Sequence, residues 1–174
     1  MSRFSWSRPA AMAAAALFIS PVYAHVTLAE QHAPVESSYR AVLRVPHGCK
    51  GSPTVKVRVR IPEGVIGVKP QPKPGWTLDT VKGDYARSYR LYHGQVSSGV
   101  KEITWSGGRL PDDHYDEFVF ISYLSGQLTP GATVYFPVVQ ECESGVERWI
   151  DVPGADGKPT ETPAPGLKLL PKQP

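Results

Sequence analysis

Downstream of residue 24 the apolar positions recur every second residue in short runs, and no stretch keeps a 3.6-residue apolar period long enough for a substantial helix. Residues 39–45 alternate apolar with polar positions, and residues 54–61 do so more strictly, with Lys56, Arg58 and Arg60 interleaved between valines. The pattern repeats over 100–105, 117–123 and 133–140, and 148–152 could close the set. Each run ends in residues that favour turns: Pro62-Glu63-Gly64, Pro74-Gly75, Ser106-Gly107-Gly108 and Pro130-Gly131. Period-two runs with turn signals at this spacing predict an all-β chain, a single immunoglobulin-like β-sandwich.

The two ends of the chain depart from that pattern. Arg3 and Arg8 precede an apolar stretch, 10–19, that is too short to cross a bilayer as a stable helix. Ser20-Pro21-Val22-Tyr23-Ala24 follows, with Val22 and Ala24 where a signal peptidase inspects the chain, so cleavage after Ala24 is expected to leave His25 as the first mature residue. The expected organisation is therefore a signal peptide over 1–24, the sandwich over 25–153 and a Pro-rich tail over 154–174. Pro159, Pro163, Pro165, Pro171 and Pro174 argue against a regular ladder in the tail. That tail either runs extended along the domain through Leu167, Leu169 and Leu170 or ends unpacked.

Charge and cysteine content narrow the reading. Processing removes two arginines and no acid, so the formal charge falls from +3 to +1. Nothing then resembles the basic patch a nucleic-acid binder needs, and Lys56, Arg58 and Arg60 read as a solvated strand face. No segment after residue 24 is long and apolar enough for a transmembrane span. Export to an oxidising periplasmic or extracellular space lets Cys49 and Cys142 pair, a bridge expected to contribute about 3 to 5 kcal/mol. Thiolate ligation of a metal is the alternative, but no CxxC spacing accompanies the pair.

A mature N-terminal histidine carries distinctive chemistry. Its α-amine and ring Nδ1 can close a chelate on one metal ion, and an amine with a reference pKa of about 8 gives up its proton far more readily than a lysine. Nitrogen donors in tetragonal geometry suit Cu(II). Equally, cleavage before a histidine can be incidental.

Read beside His25-Val26-Thr27, a series of further segments makes the chain similar to the YcnI-like copper-binding family, also described as a domain of unknown function. The matching pieces are Val45-Pro46, Ile61-Pro62-Glu63-Gly64-Val65, Pro74-Gly75-Trp76, Ile103-Thr104-Trp105, Glu117-Phe118-Val119-Phe120 and Gln140, which span most of 25–150. Gly48-Cys49, Cys142 and Trp149 resemble the cysteine-containing branch of that family. The resemblance implies one Cu(II) per chain, held by His25 through its amine and Nδ1 together with Glu117. It also implies an aromatic near the metal, four residues before Gln140, where this chain has Phe136 in place of the family's tryptophan; Phe136 or Tyr135 would occupy that space.

Glu117 opens an alternating strand, where a carboxylate can reach a chain terminus or simply solubilise an edge. His47, beside Gly48-Cys49, His93, and His114, among Asp112, Asp113, Asp116 and Glu117, could supply a further metal contact or sit on the surface, as could His32. Trp76, Trp105 and Trp149 read as packing residues.

Three functions fit these residues. The first is a non-enzymatic exported copper binder acting in copper acquisition, delivery or tolerance, with the copper ion and other periplasmic or membrane copper-handling proteins as partners. The second is an oxidative copper enzyme of the polysaccharide monooxygenase type, which would need a second histidine that is not securely placed here. The third is a non-metal β-sandwich interaction module in which the terminal histidine is incidental.

Overall fold

The computed structural model describes residues 25–154, 158 and 160–174, so the segment expected to be a signal peptide, 1–24, lies outside the described residues. The described chain is all strand and loop. The strands are β1 Thr27–Leu28, β2 His32–Pro34, β3 Ser37–Val45, β4 Thr54–Arg60, β5 Val65–Pro70 and β6 Thr77–Leu91. They continue with β7 Gly94–Leu110, β8 Asp116–Leu124, β9 Thr133–Tyr135, β10 Val138–Cys142, β11 Val146–Trp149 and β12 Gly166–Leu170.

Two main sheets pack face to face. One has the order β1-β3-β8-β5 and the other β11-β10-β4-β7-β6. The alternation in β3 and β4 explains the layering: Tyr39, Ala41, Leu43 and Val45 from one sheet meet Val57, Val59, Ile103 and Trp105 from the other in a single core. Leu43, Val45, Val57, Val59, Phe118 and Phe120 are wholly shielded from water. Trp105 satisfies its indole nitrogen even there, donating to the Gln71 carbonyl at 3.1 Å.

Sequence reasoning and structure part company at several places. The expected strand 133–140 is two strands, β9 and β10, because Pro137 has no amide proton and the chain turns there from one sheet to another. Strand β5, broken by Gly67 and ending at Pro70, and strand β6, whose side chains are mostly exposed, carry little apolar alternation and escape a pattern search. The strand expected at 148–152 sits earlier, at Val146–Trp149, leaving Ile150 and Val152 exposed.

The Pro-rich tail takes the first of its two expected courses, running extended along the domain through Leu167 and Leu169, and differs from expectation in forming a regular ladder. Its Gly166–Leu170 segment is inserted as β12 between β2 and β9, parallel to the first and antiparallel to the second. Leu167 and Leu169 are buried in the main core, so the packed domain continues well past residue 153. The prolines precede and follow this strand rather than interrupt it, which is why composition alone hides it.

Strands β6 and β7 form a long hairpin whose tip, Tyr92-His93, turns with Tyr92 at a φ of 53°. Glu63 ties this hairpin back to the body. Its carboxylate accepts hydrogen bonds from the Ala86 amide at 2.9 Å, the Tyr89 hydroxyl at 2.8 Å and Lys101 Nζ at 2.9 Å. Partial burial works to raise its pKa, but these donors outweigh it and hold the carboxyl below the ordinary value. Burial, reinforced by the same carboxylate, pushes Tyr89 up to about 12.

Candidate functional site

The cysteines are joined, as expected: Cys49 and Cys142 form a disulfide that closes 93 residues. The bridge fastens the loop after β3 to the end of β10, beside Gln140, a fully buried polar side chain. Buried amides must be satisfied, and this one is. Gln140 Nε2 donates to the His47 carbonyl and to Thr54 Oγ1, both at 2.7 Å, while its Oε1 accepts from Trp149 Nε1 at 3.0 Å. Thr54 Oγ1 in turn lies 3.8 Å from Cys142 Sγ. Gly48 is needed in this loop because a Cβ there would fall 2.0 Å from the Ser52 carbonyl oxygen. Its amide donates to Asp112 at 3.0 Å.

His25 stands on this platform. It precedes β1, the edge strand of one sheet, and its ring packs edge-on against Trp149 of β11, the edge strand of the other, with centroids 5.4 Å apart at 65°. The imidazole thus bridges two sheet edges, and its Nε2 is shielded from solvent. The structure assigns the aromatic neighbour of His25 to Trp149, a residue that sequence reading treats only as packing. Trp149 does pack, at 6% exposure, but it also touches the histidine. Its strand pairs with the one bearing Gln140, a pairing that only the structure shows.

Phe136, the position to which the resemblance directs the aromatic contact, is fully buried in the core, its ring 5.9 Å from that of Phe120. Tyr135, at the end of β9, is partly buried. Glu117 lies on β8 in register with Arg44 of β3, which is itself in register with Thr27 of β1. Two strand spacings, roughly 10 Å, therefore separate the rows of Glu117 and Thr27. The Glu117 carboxylate meets Arg44 Nε at 3.4 Å, with both side chains more than a third exposed. An ion pair so long and so wet is worth little. Next to it, Asp116 is taken by Lys73, whose Nζ donates to it at 2.6 Å and lies 5.1 Å over the Phe118 ring.

The other histidines disperse. His47 contributes its carbonyl to Gln140 and its ring to a contact with the Gly48 carbonyl. His93 is exposed at the hairpin tip, His32 is exposed on β2, and His114, at 65% side-chain exposure, lies 3.9 Å from Asp113. The acids around His114 serve local contacts, Asp112 to the Gly48 loop, Asp116 to Lys73 and Glu117 to Arg44. Among the described residues no three His, Cys, Asp or Glu side chains gather into a metal-holding group. A terminal-histidine chelate needs fewer side chains, because one donor is the main-chain amine. In the full chain that nitrogen is a peptide amide.

Residues 25–169 match the family described as Domain of unknown function (DUF1775). The chain belongs to this family. Among solved structures, an uncharacterized protein from Nocardia farcinica with an immunoglobulin-like fold is similar, at 28% identity and a TM-score of 0.59, over 84% of this chain and 98% of that one. No curated protein matches. Neither the family nor the neighbour carries an enzymatic description, and among the described residues of this DUF1775 chain no helix is long and apolar enough to cross a membrane.

Proposed function

We propose that the processed protein is an exported, non-enzymatic Cu(II)-binding domain acting in copper acquisition, delivery or tolerance. The supporting observation is the place of His25: the family match begins at this residue, and its imidazole is held at the junction of two sheet edges by Trp149. With Nε2 turned away from solvent, Nδ1 is the ring nitrogen left to chelate with an α-amine, which exists only once the Ala24–His25 bond is cut. The donor chemistry of such a pair fits Cu(II).

For the carboxylate, Glu117 remains the assigned ligand. Its bond to Arg44 is weak enough to be exchanged, so the fit requires Glu117 to leave Arg44 when metal arrives. Bound copper would act as cargo or as a stored ion, while His25 supplies two nitrogens and Glu117 one oxygen. Because amine and imidazole must both be unprotonated, apparent affinity rises with pH toward the amine's reference pKa of about 8.

The test is a Cu(II) titration followed by electron paramagnetic resonance on protein whose mass verifies His25 as first residue. One ion per chain with nitrogen coupling is expected, lost in His25→Ala and in protein carrying one extra residue before His25, and altered in Glu117→Gln. Stoichiometric binding indifferent to His25→Ala would refute the proposal, and an unchanged spectrum in Glu117→Gln would remove that residue from the ligand set.

A further inference from the structure

Away from His25, the outer face of the four-stranded sheet carries a pattern the copper reading does not use. Arg40 of β3, Ile121 of β8 and Lys69 of β5 lie opposite one another in register. Opposed residues share a face, so an exposed isoleucine, at 50%, is flanked on both sides by cations. Two residues along β8, on the same face, Tyr123 packs against Tyr92 from the hairpin tip, ring centroids 5.4 Å apart. Tyr92 is nonetheless 62% exposed, and the chain holds it there in a left-handed conformation that non-glycine residues rarely adopt.

The two tyrosines separate two clefts. One, of about 340 Å³, runs over Arg40, Lys69 and Ile121; the other, of about 470 Å³, is bordered by Arg90, Gln127 and Lys172. Lys172 is ion-paired with Glu36. Arg40, Lys69 and Arg90 have no ion-pair partner among the described residues. Elsewhere on the domain, Lys56, Arg58, Lys73, Lys101 and Arg109 each have an acid within 4 Å. Lys50, Arg60, Lys82, Arg87, Arg148 and Lys168 likewise lack an ion pair among the described residues, so what sets this face apart is the alignment of two such cations on either side of an exposed isoleucine, beside the tyrosine pair.

We propose that this face binds an acidic, extended segment of a partner protein. Its carboxylates reach Arg40, Lys69 and Arg90, and an apolar side chain enters the cleft over Ile121 beside the tyrosine pair. Cation, isoleucine and cation in one row call for carboxylates flanking an apolar side chain, which a polypeptide supplies. A sugar polymer is disfavoured because the two rings are tilted 58° to each other and form no common stacking plane. A bilayer is disfavoured because the aromatic groups border concave clefts rather than cap a convex surface. Charge complementarity of this kind governs encounter and specificity and weakens with salt. The proposal does not depend on copper.

A short synthetic peptide alternating Glu with Leu, titrated into isotopically labelled protein at low ionic strength and followed by amide chemical shifts, tests it. Shifts are expected to cluster at Tyr92, Ile121 and Tyr123, to fade with added salt, and to be absent with the matching Lys-Leu peptide. The charge reversal Arg40→Glu with Lys69→Glu should weaken binding at least about tenfold, corresponding to about 1.4 kcal/mol. Tyr92→Ala should weaken it as well, with the thermal melting point unchanged in both. The idea is overturned by no response at this face, by equal affinity in the charge-reversed protein, or by binding of alginate oligosaccharides or phosphatidylglycerol vesicles where the peptide fails.

Discussion

The two ends of this sandwich treat polar groups in opposite ways. Around Gln140 the amide oxygen and nitrogen are both committed to partners within 3.0 Å, a disulfide locks the adjoining loop, and His25 rests on the indole that the same glutamine orients. Around Tyr92 and Tyr123 the hairpin tip stands over open clefts, with unpaired cations at their margins. A fully satisfied buried network holds one arrangement, because every displacement breaks a bond that water cannot replace. An open face with unspent charge and apolar surface instead keeps its interactions for another molecule. The rigid end therefore suits a ligand that demands fixed donors, and the open end suits one that brings its own shape.

The comparison breaks most readily at the disulfide. Replacing Cys49 and Cys142 together by Ser should lower unfolding free energy by roughly 4 to 5 kcal/mol on the loop-entropy account, measured by urea denaturation at constant pH. Next comes Gln140→Leu, which strands the Trp149 N–H, the Thr54 hydroxyl and the His47 carbonyl in a dry setting. A loss of about 2 to 4 kcal/mol is expected, together with a shifted Trp149 fluorescence emission.

A smaller effect belongs to Glu63, whose three donors anchor the hairpin but whose side chain is about a third exposed. Glu63→Gln should cost about 1 to 2 kcal/mol at neutral pH, after allowance for solvent screening. The sign of its pH dependence follows from a carboxyl held below its ordinary value of 4.5. The contribution is whole above that value and drains away as pH falls below it, because the unfolded chain takes up the proton first. Stability difference curves for wild type and Glu63→Gln should therefore converge on the acid side, and parallel curves there would contradict the assignment. Smallest of all is Arg44→Ala, expected to change stability by less than about 1 kcal/mol because its pair with Glu117 is long and exposed. In the copper reading the same substitution frees Glu117, so Cu(II) affinity should hold or rise; a loss would mean that Arg44 helps the metal bind.

The candidate site was only half legible in the chain. His25 stood out because the residues before it read as a cleavage signal, and the cysteine pairing was expected from the compartment such a signal would imply. The role of Trp149 beside His25 was hidden, because 124 residues separate them and nothing local marks an indole as a neighbour of a distant terminus. Strand β8 was read at 117–123 against an observed Asp116–Leu124, yet the ion pair of its Glu117 with Arg44 depends on the register of β3 against β8. The fold was legible where one strand face is buried and the other wet, as in β3 and β4. It was illegible in β6, which is mostly exposed, and in β12, which lies among prolines.

What the chain determined by itself is the all-β character and the alternation that sorts side chains between core and solvent, since period-two patterning acts through neighbouring residues alone. It also carries the pattern from which a mature terminus at His25, and the chelating chemistry of such a terminus, are expected. Only the tertiary structure decided which edge strands meet, that β12 enters between β2 and β9, that His25 lands on Trp149, and that Arg40, Ile121 and Lys69 align across three strands. Those outcomes are set by strand order and register, which depend on packing between residues far apart in the chain.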